Sequence, residues 1–283
     1  MRRPLLATLL PLLLAGFTTS CTTSPATSDP TAEATPASST LPTVAAKIPG
    51  PVVALGDSIT RGVNACVDKF GDCPEASWST GTTLDSHAHK VGQTGTNLAN
   101  SGARVSDLPG QAESAVAARP AYVTVLVGAN DACRQSVDRM TTVSAFRADL
   151  TRALKTIKQG VPDAKLLLAS VPDLYQLWNI GHADPRATGR WDLGICPSML
   201  ANPASTAAVD EQRRQSVRNR VVAYNDVISR ACADYGPNCK TDGGAVFRFQ
   251  FRAEHVSSID FFHPSALGQA ELARVTNEAA YRW

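Results

Sequence analysis

The stretch "VVALGDSITRG", Val52–Gly62, sets a glycine, an acid and a serine where an apolar run stops. A short β-branched run that ends at glycine reads as a buried strand, so "PVVAL" (51–55) is predicted to be one. Gly56 and Asp57 then form a turn, and Ser58 lies just past the strand end. Two further runs have the same character, "AYVTVLVG" (121–128) and "AKLLLASV" (164–171). Between them, "SAFRADLTRALKTIKQG" places Ala145, Phe146, Leu150, Leu154 and Ile157 at helical spacing, with Ser144 as N-cap and Gly160 as the stop. Helices are also predicted over 107–118, over 208–235 with Val217, Val221, Tyr224 and Ile228 on one face, and from Pro264 to the C-terminus. Strands alternating with helices specify an α/β fold, a three-layer α/β/α sandwich with a mainly parallel central sheet covered on both faces. Ligands of such sheets bind beyond the carboxyl ends of the strands, where Ser58 and Asn130 both fall.

Outside this core the chain divides simply. It has 283 residues, 43% of them hydrophobic, enough for one large domain. Its 27 basic and 25 acidic residues leave a net charge of +2 with no long basic run, so no nucleic-acid partner is expected and small neutral substrates fit better. Arg2 and Arg3 followed by the apolar segment Leu5–Phe17 read as a signal peptide over 1–20, too short for a typical membrane span. "TTSC", ending at Cys21, resembles the lipobox of bacterial lipoproteins, whose cysteine is acylated. Residues 21–49 are rich in Ser, Thr, Pro and Ala and read as a disordered tether. The globular domain is 50–283, taken as a monomer. Apart from Cys21, the six cysteines are an even set, as disulfides in an exported protein would be. Cys66 with Cys73 and Cys232 with Cys239 each close a short polar loop, which leaves Cys133 with Cys196. A metal site is the rival, but the spacings lack the paired Cys-x-x-Cys units of structural zinc.

A serine hydroxyl needs a base to take its proton and a third group to orient that base. Of five histidines, His263 is set apart by an acid at short, defined spacing just before the final helix, in "SSIDFFHPSALGQ", where Asp260 precedes it by three residues. Pro264 suits a first helical position, which sets His263 at the N-terminus of the last helix. His87 and His89, near Asp85, raise the question of a metal, but such a pair in a polar loop reads as solvated surface, and neither metal nor cofactor is expected. Trp78, Trp178 and Trp191 are candidates for pocket walls or for packing anchors. The stretch 175–204, with three prolines, reads as loop-rich and able to shape the acyl or alcohol pocket.

"GDSIT" (56–60), "NSGARVSDL" (100–108), "VGAND" (127–131) and "DFFH" (260–263) together resemble, in order, the sequence blocks of the SGNH hydrolases, or GDSL esterases and lipases. The resemblance covers 50–283 and is nearest to exported actinobacterial members. It implies that Ser58 is the nucleophile, His263 the general base and Asp260 its orienting carboxylate; some relatives orient the histidine with a backbone carbonyl instead, and Asp107 and Asp131 are other acids of this chain for that place. It also implies an oxyanion hole made of the Ser58 and Gly102 backbone N–H groups and the Asn130 amide. No Gly-x-Ser-x-Gly elbow or His-Glu-x-x-His pair points to a different hydrolase. The expected activity is that of an exported serine esterase, at the cell surface or secreted. Acetylated carbohydrate, lipid and thioester substrates stay open, as does a surface lipoprotein that binds glycan or lipid without turnover.

Overall fold

The structure, a computed structural model, describes residues 48–283; the signal segment, most of the tether and Cys21 lie outside the described residues. Five strands, β1 (Val52–Gly56), β2 (Gly95–Asn97), β3 (Tyr122–Leu126), β4 (Lys165–Leu168) and β5 (Cys239–Thr241), form one parallel sheet in the order β2-β1-β3-β4-β5. Every residue of β1 and β3 is buried. Neighbouring strand residues point to opposite faces, so both faces are covered and the fold is the three-layer sandwich. The edge strands β2 and β5 are three residues each and partly exposed, short edges that offer little for another chain to pair with.

The helices are α1 (Ser58–Arg61), α2 (His87–Lys90), α3 (Leu108–Ala117), α4 (Ala129–Ala132), α5 (Val143–Gly160), α6 (Tyr175–Gly181), α7 (Pro185–Trp191), α8 (Pro197–Leu200), α9 (Ala208–Tyr235), α10 (Ala245–Arg248) and α11 (Ala266–Ala279). The apolar stripe of α5 is buried through Phe146, Leu150, Ala153, Leu154 and Ile157, whereas Ala145 is exposed. Its cap is Thr142 rather than Ser144: the Thr142 hydroxyl accepts from the Ala145 N–H at 3.2 Å. Gly160 is not a stop but the last helical residue, and a Cβ there would meet the Val116 side chain at 2.3 Å, so glycine lets α5 approach α3 closely. Val217, Val221, Tyr224 and Ile228 of α9 are buried as their spacing indicates.

Three further expectations are corrected. The stretch 175–204 is not loop-rich but mostly helix, carrying α6, α7 and α8; Pro185 and Pro197 begin helices, where a missing N–H costs nothing. The last helix begins at Ala266 with Ser265 as its cap, and Pro264 pairs with Val256 in a β-bridge, so His263 stands before the helix instead of at its first turn. His87 is not solvated surface. It is buried, with Nδ1 2.9 Å from the Tyr122 hydroxyl and Nε2 2.8 Å from the Thr276 hydroxyl, which leaves neither ring nitrogen for a metal. Only His89 is solvated, 3.2 Å from Asp85.

All three disulfides pair as the spacing indicates: Cys66–Cys73, Cys133–Cys196 and Cys232–Cys239. The second joins α4 to α8 across 63 residues. By the chain-entropy account, closing a loop of that length stabilises the fold by about 4 kcal/mol.

Burial pushes the His87 imidazole down to about 3, while an unfolded chain leaves it near 6.5. The unfolded state therefore binds a proton that the folded state refuses, and stability present above pH 6.5 is lost as pH falls toward about 3. In urea titrations across this window, the parent is expected to lose up to about 1.4 kcal/mol per pH unit more than His87→Gln. Equal slopes would contradict the assignment.

Candidate active site

The site is built at the carboxyl ends of β1 and β3, where the strand order changes direction and a crevice opens. At the end of β1, Gly56 has a φ of 141°, and a Cβ there would lie 2.1 Å from the Leu126 carbonyl oxygen. Its backbone is held by Gln111: the Gly56 N–H donates to Oε1 at 2.8 Å, and Nε2 donates to the Gly56 carbonyl at 2.9 Å. Asp57 caps the next turn, its Oδ1 accepting from the Ile59 N–H at 2.9 Å. Ser58, the first residue of α1, is thus fixed at the mouth of the crevice, 8% exposed.

His263 comes from the other end of the chain. Gln269 of α11 is fully buried, donates to the Ile59 carbonyl at 2.7 Å and accepts from the Trp78 N–H at 2.9 Å, tying α11 to α1. The preceding segment folds back on itself, with the Ser257 N–H donating to the His263 carbonyl at 2.8 Å. His263 Nε2 lies 2.9 Å from Ser58 Oγ, and Nδ1 lies 2.6 Å from Asp260 Oδ2. Asp260 Oδ1 accepts from the N–H groups of Phe262 and His263 at 2.9 and 3.0 Å, so the carboxylate closes the turn that carries the ring. A fourth donor, which the sequence did not reveal, is the Asn64 amide, 2.6 Å from Oδ2.

Electrostatics separates the acids. Burial works to raise the Asp260 carboxyl, but the bonds from His263 and Asn64 outweigh it and hold the group below the usual carboxylate range. Asp57 has one N–H partner and a buried Oδ2 with none, and burial pushes it up to about 7. Asp107 accepts from the Arg104 N–H at 2.8 Å and Asp131 from the Val105 N–H at 2.9 Å, so both pin the turn before α3 rather than His263. A carboxylate on Nδ1–H leaves the Nε2 lone pair facing the Ser58 hydroxyl, an arrangement able to withdraw its proton.

Asn130 follows β3 and lies beside Ser58 in the crevice wall; its amide spends one N–H on the Ala103 carbonyl at 3.0 Å. Gly102 is on the same turn, exposed, with a φ of 80°. Its N–H and that of Ser58 have no partner among the described residues. Ser58 shares a cavity with Ile59, Leu174, Leu177, Ile180, Phe251 and Phe262, and its lining is mostly apolar although Asp173, Gln176 and His255 also border it. None of the three tryptophans lines it. Trp78, Trp178 and Trp191 are buried as packing anchors, and the Trp191 Nε1–H donates to the Phe261 carbonyl at 3.0 Å behind the His263 turn. Of the stretch 175–204, only α6 contributes to the wall, and spacing gave no sign that Leu177 and Ile180 would line the serine's cavity.

Residues 54–271 match the model of the GDSL-like lipase/acylhydrolase family. The chain belongs to that family. It is accordingly a hydrolase of carboxylic esters. Among solved structures it is similar to an extracellular lipase from Streptomyces rimosus, with 20% identity, 82% of this chain and 100% of that one covered, and a TM-score of 0.52. It is also similar to phospholipase A1 from Streptomyces albidoflavus, with 21% identity, 82% and 99% covered, and a TM-score of 0.50. A third is an alpha/beta hydrolase from the metagenome of Lake Arreo, with 19% identity, 84% and 100% covered, and a TM-score of 0.52. At these identities the likeness speaks for the fold alone. No curated protein matches the sequence.

Gly56→Ala is expected to destabilise the family's fold in this chain by at least about 2 kcal/mol, since both the positive φ and the Leu126 carbonyl oppose a methyl group. Urea unfolding measures it; a change under about 0.5 kcal/mol, the range of an ordinary surface substitution, would contradict the close approach.

Proposed function

We propose that this protein is an exported serine esterase working through an acyl-enzyme. His263 Nε2 takes the Ser58 proton as Oγ bonds to the ester carbonyl carbon, and Asp260 holds the imidazole and balances its charge. The carbonyl oxygen, now negative, receives hydrogen bonds from the Ser58 N–H, the Gly102 N–H and the second N–H of the Asn130 amide. The carbon–alcohol bond then breaks as His263 returns its proton to the leaving oxygen. Water, deprotonated by the same imidazole, releases the acid and restores Ser58. The observation that carries this reading is the unbroken line from Asp260 through His263 to Ser58, with contacts of 2.6 and 2.9 Å, at the mouth of an apolar cavity.

That cavity favours esters whose acyl group has several carbons, because its aliphatic and aromatic walls gain little from an acetyl group. Lipid-like esters therefore suit it better than acetylated glycans. For location, we propose that 1–20 is a signal peptide, that Cys21 is the point of lipid attachment, and that 21–49 holds a monomeric domain off the membrane surface. Three disulfides support an oxidising compartment. Among the described residues, no helix is long and apolar enough to cross a membrane.

Ser58→Ala is expected to cut turnover of p-nitrophenyl butyrate on the order of 10⁴-fold or more, with an unchanged circular dichroism spectrum; near-parent turnover would refute the mechanism. Leu177→Trp, which fills the cavity, is expected to lower kcat/KM for p-nitrophenyl octanoate about tenfold or more while leaving the acetate ester within about threefold. Equal losses on both esters would show that the cavity does not hold the acyl chain.

A further inference from the structure

We propose that Asn64 is a positioning residue for the Asp260 carboxylate and that the loop closed by Cys66–Cys73 exists in part to aim it. The proposal rests on the esterase reading above, in which Asp260 orients His263. A carboxylate has about four lone-pair sites. At Asp260 all four are taken, by the N–H groups of Phe262 and His263 on Oδ1 and by His263 Nδ1 and the Asn64 amide on Oδ2. Asn64 thus donates to the same oxygen that holds the imidazole.

The amide has no freedom to turn. Its Oδ1 accepts from the Gly71 N–H at 2.8 Å, so a flipped amide would set donor against donor at Gly71 and oxygen against oxygen at Asp260. The backbone is pinned as well: the Asn64 N–H donates to the Gly71 carbonyl at 2.7 Å, and the Ser257 hydroxyl donates to the Asn64 carbonyl at 2.6 Å. Asn64 is 5% exposed and has a φ of 55°, a left-handed conformation that asparagine, aspartate and glycine tolerate best. Gly71 in turn lies inside the loop that the disulfide between Cys66 and Cys73 closes. The staple holds Gly71, Gly71 orients the amide, and the amide fixes the carboxylate oxygen on which the imidazole is hung.

Two variants test this. Asn64→Gly accepts the backbone conformation and removes the donor at every pH. Its kcat is expected to fall about tenfold to a hundredfold, the rate equivalent of one charge-assisted hydrogen bond, with KM within about twofold. Asn64→Asp keeps the Gly71 contact and the backbone but sets an oxygen against Asp260. Two carboxyl groups that close share a proton in acid and lose it as pH rises, so the ratio of variant to parent kcat is expected to fall steadily toward alkaline pH. A parent-like kcat in Asn64→Gly overturns the proposal, and so does an Asn64→Asp loss that is the same at all pH, the mark of a merely disturbed turn. Should neither variant fold, side-chain amide exchange in the unaltered protein decides: slow exchange of the Asn64 NH₂ supports the contact, and exchange at the rate of surface asparagines overturns it. Turnover retained by Ser58→Ala would bring down the esterase reading and this proposal together, whereas its loss beside a parent-like Asn64→Gly brings down this proposal alone.

Discussion

The close approach of Gly56 to β3 is the constraint on which the site depends. Because residue 56 has no Cβ, the last turn of β1 sits against the Leu126 carbonyl, and Gln111 takes up both backbone polar groups left by the turn. The chain is then obliged to leave the sheet in one direction, Asp57 caps the short helix α1, and Ser58 is presented from rigid backbone at the point where β1 and β3 diverge to different neighbours. His263, 205 residues away, reaches it only because Gln269 locks α11 onto the same short helix. A buried glutamine bonded at both ends of its amide on each side of Ser58 thus does for the site what packing does for the core.

Two aspartates lie near the imidazole, and their surroundings shift them in opposite directions. Asp57 is sealed against the sheet with one N–H and a bare oxygen, so burial favours its protonated form. Asp260 is also buried, yet four donors surround it and it keeps its charge. A histidine that is to gain a proton needs the charged neighbour, and the donor count identifies which one that is.

Legibility followed burial. β1, β3 and β4 could be read because a strand covered on both faces is nearly continuous in apolar residues, while β2 ("GTN") and β5 ("CKT") are edges under no such demand. Pro185 and Pro197 looked like breaks in a loop because proline says where a helix cannot continue, and equally where one can begin. His87 looked like surface because its partners, Tyr122 and Thr276, are distant in sequence. The family blocks point to Ser58, Asn130, Asp260 and His263; Ser58, Asn130 and His263 line one crevice, Asp260 bonds the far side of the His263 ring, and Gly102 is on the turn next to Ala103, to which Asn130 donates. Asn64 stood in no motif. Its role comes from two bonds to Gly71 and one to Asp260, 196 residues away, and no local pattern encodes a contact of that range.

The central claim is that Ser58 is a nucleophile made reactive by His263. Treating the folded protein with a fluorophosphonate and locating the adduct by peptide mass spectrometry tests it most directly, because an ordinary serine does not react. One phosphonyl group per chain is expected on the peptide that contains Ser58, and none on that peptide after His263→Ala. An unlabelled Ser58, or labelling that survives the loss of His263, would contradict it.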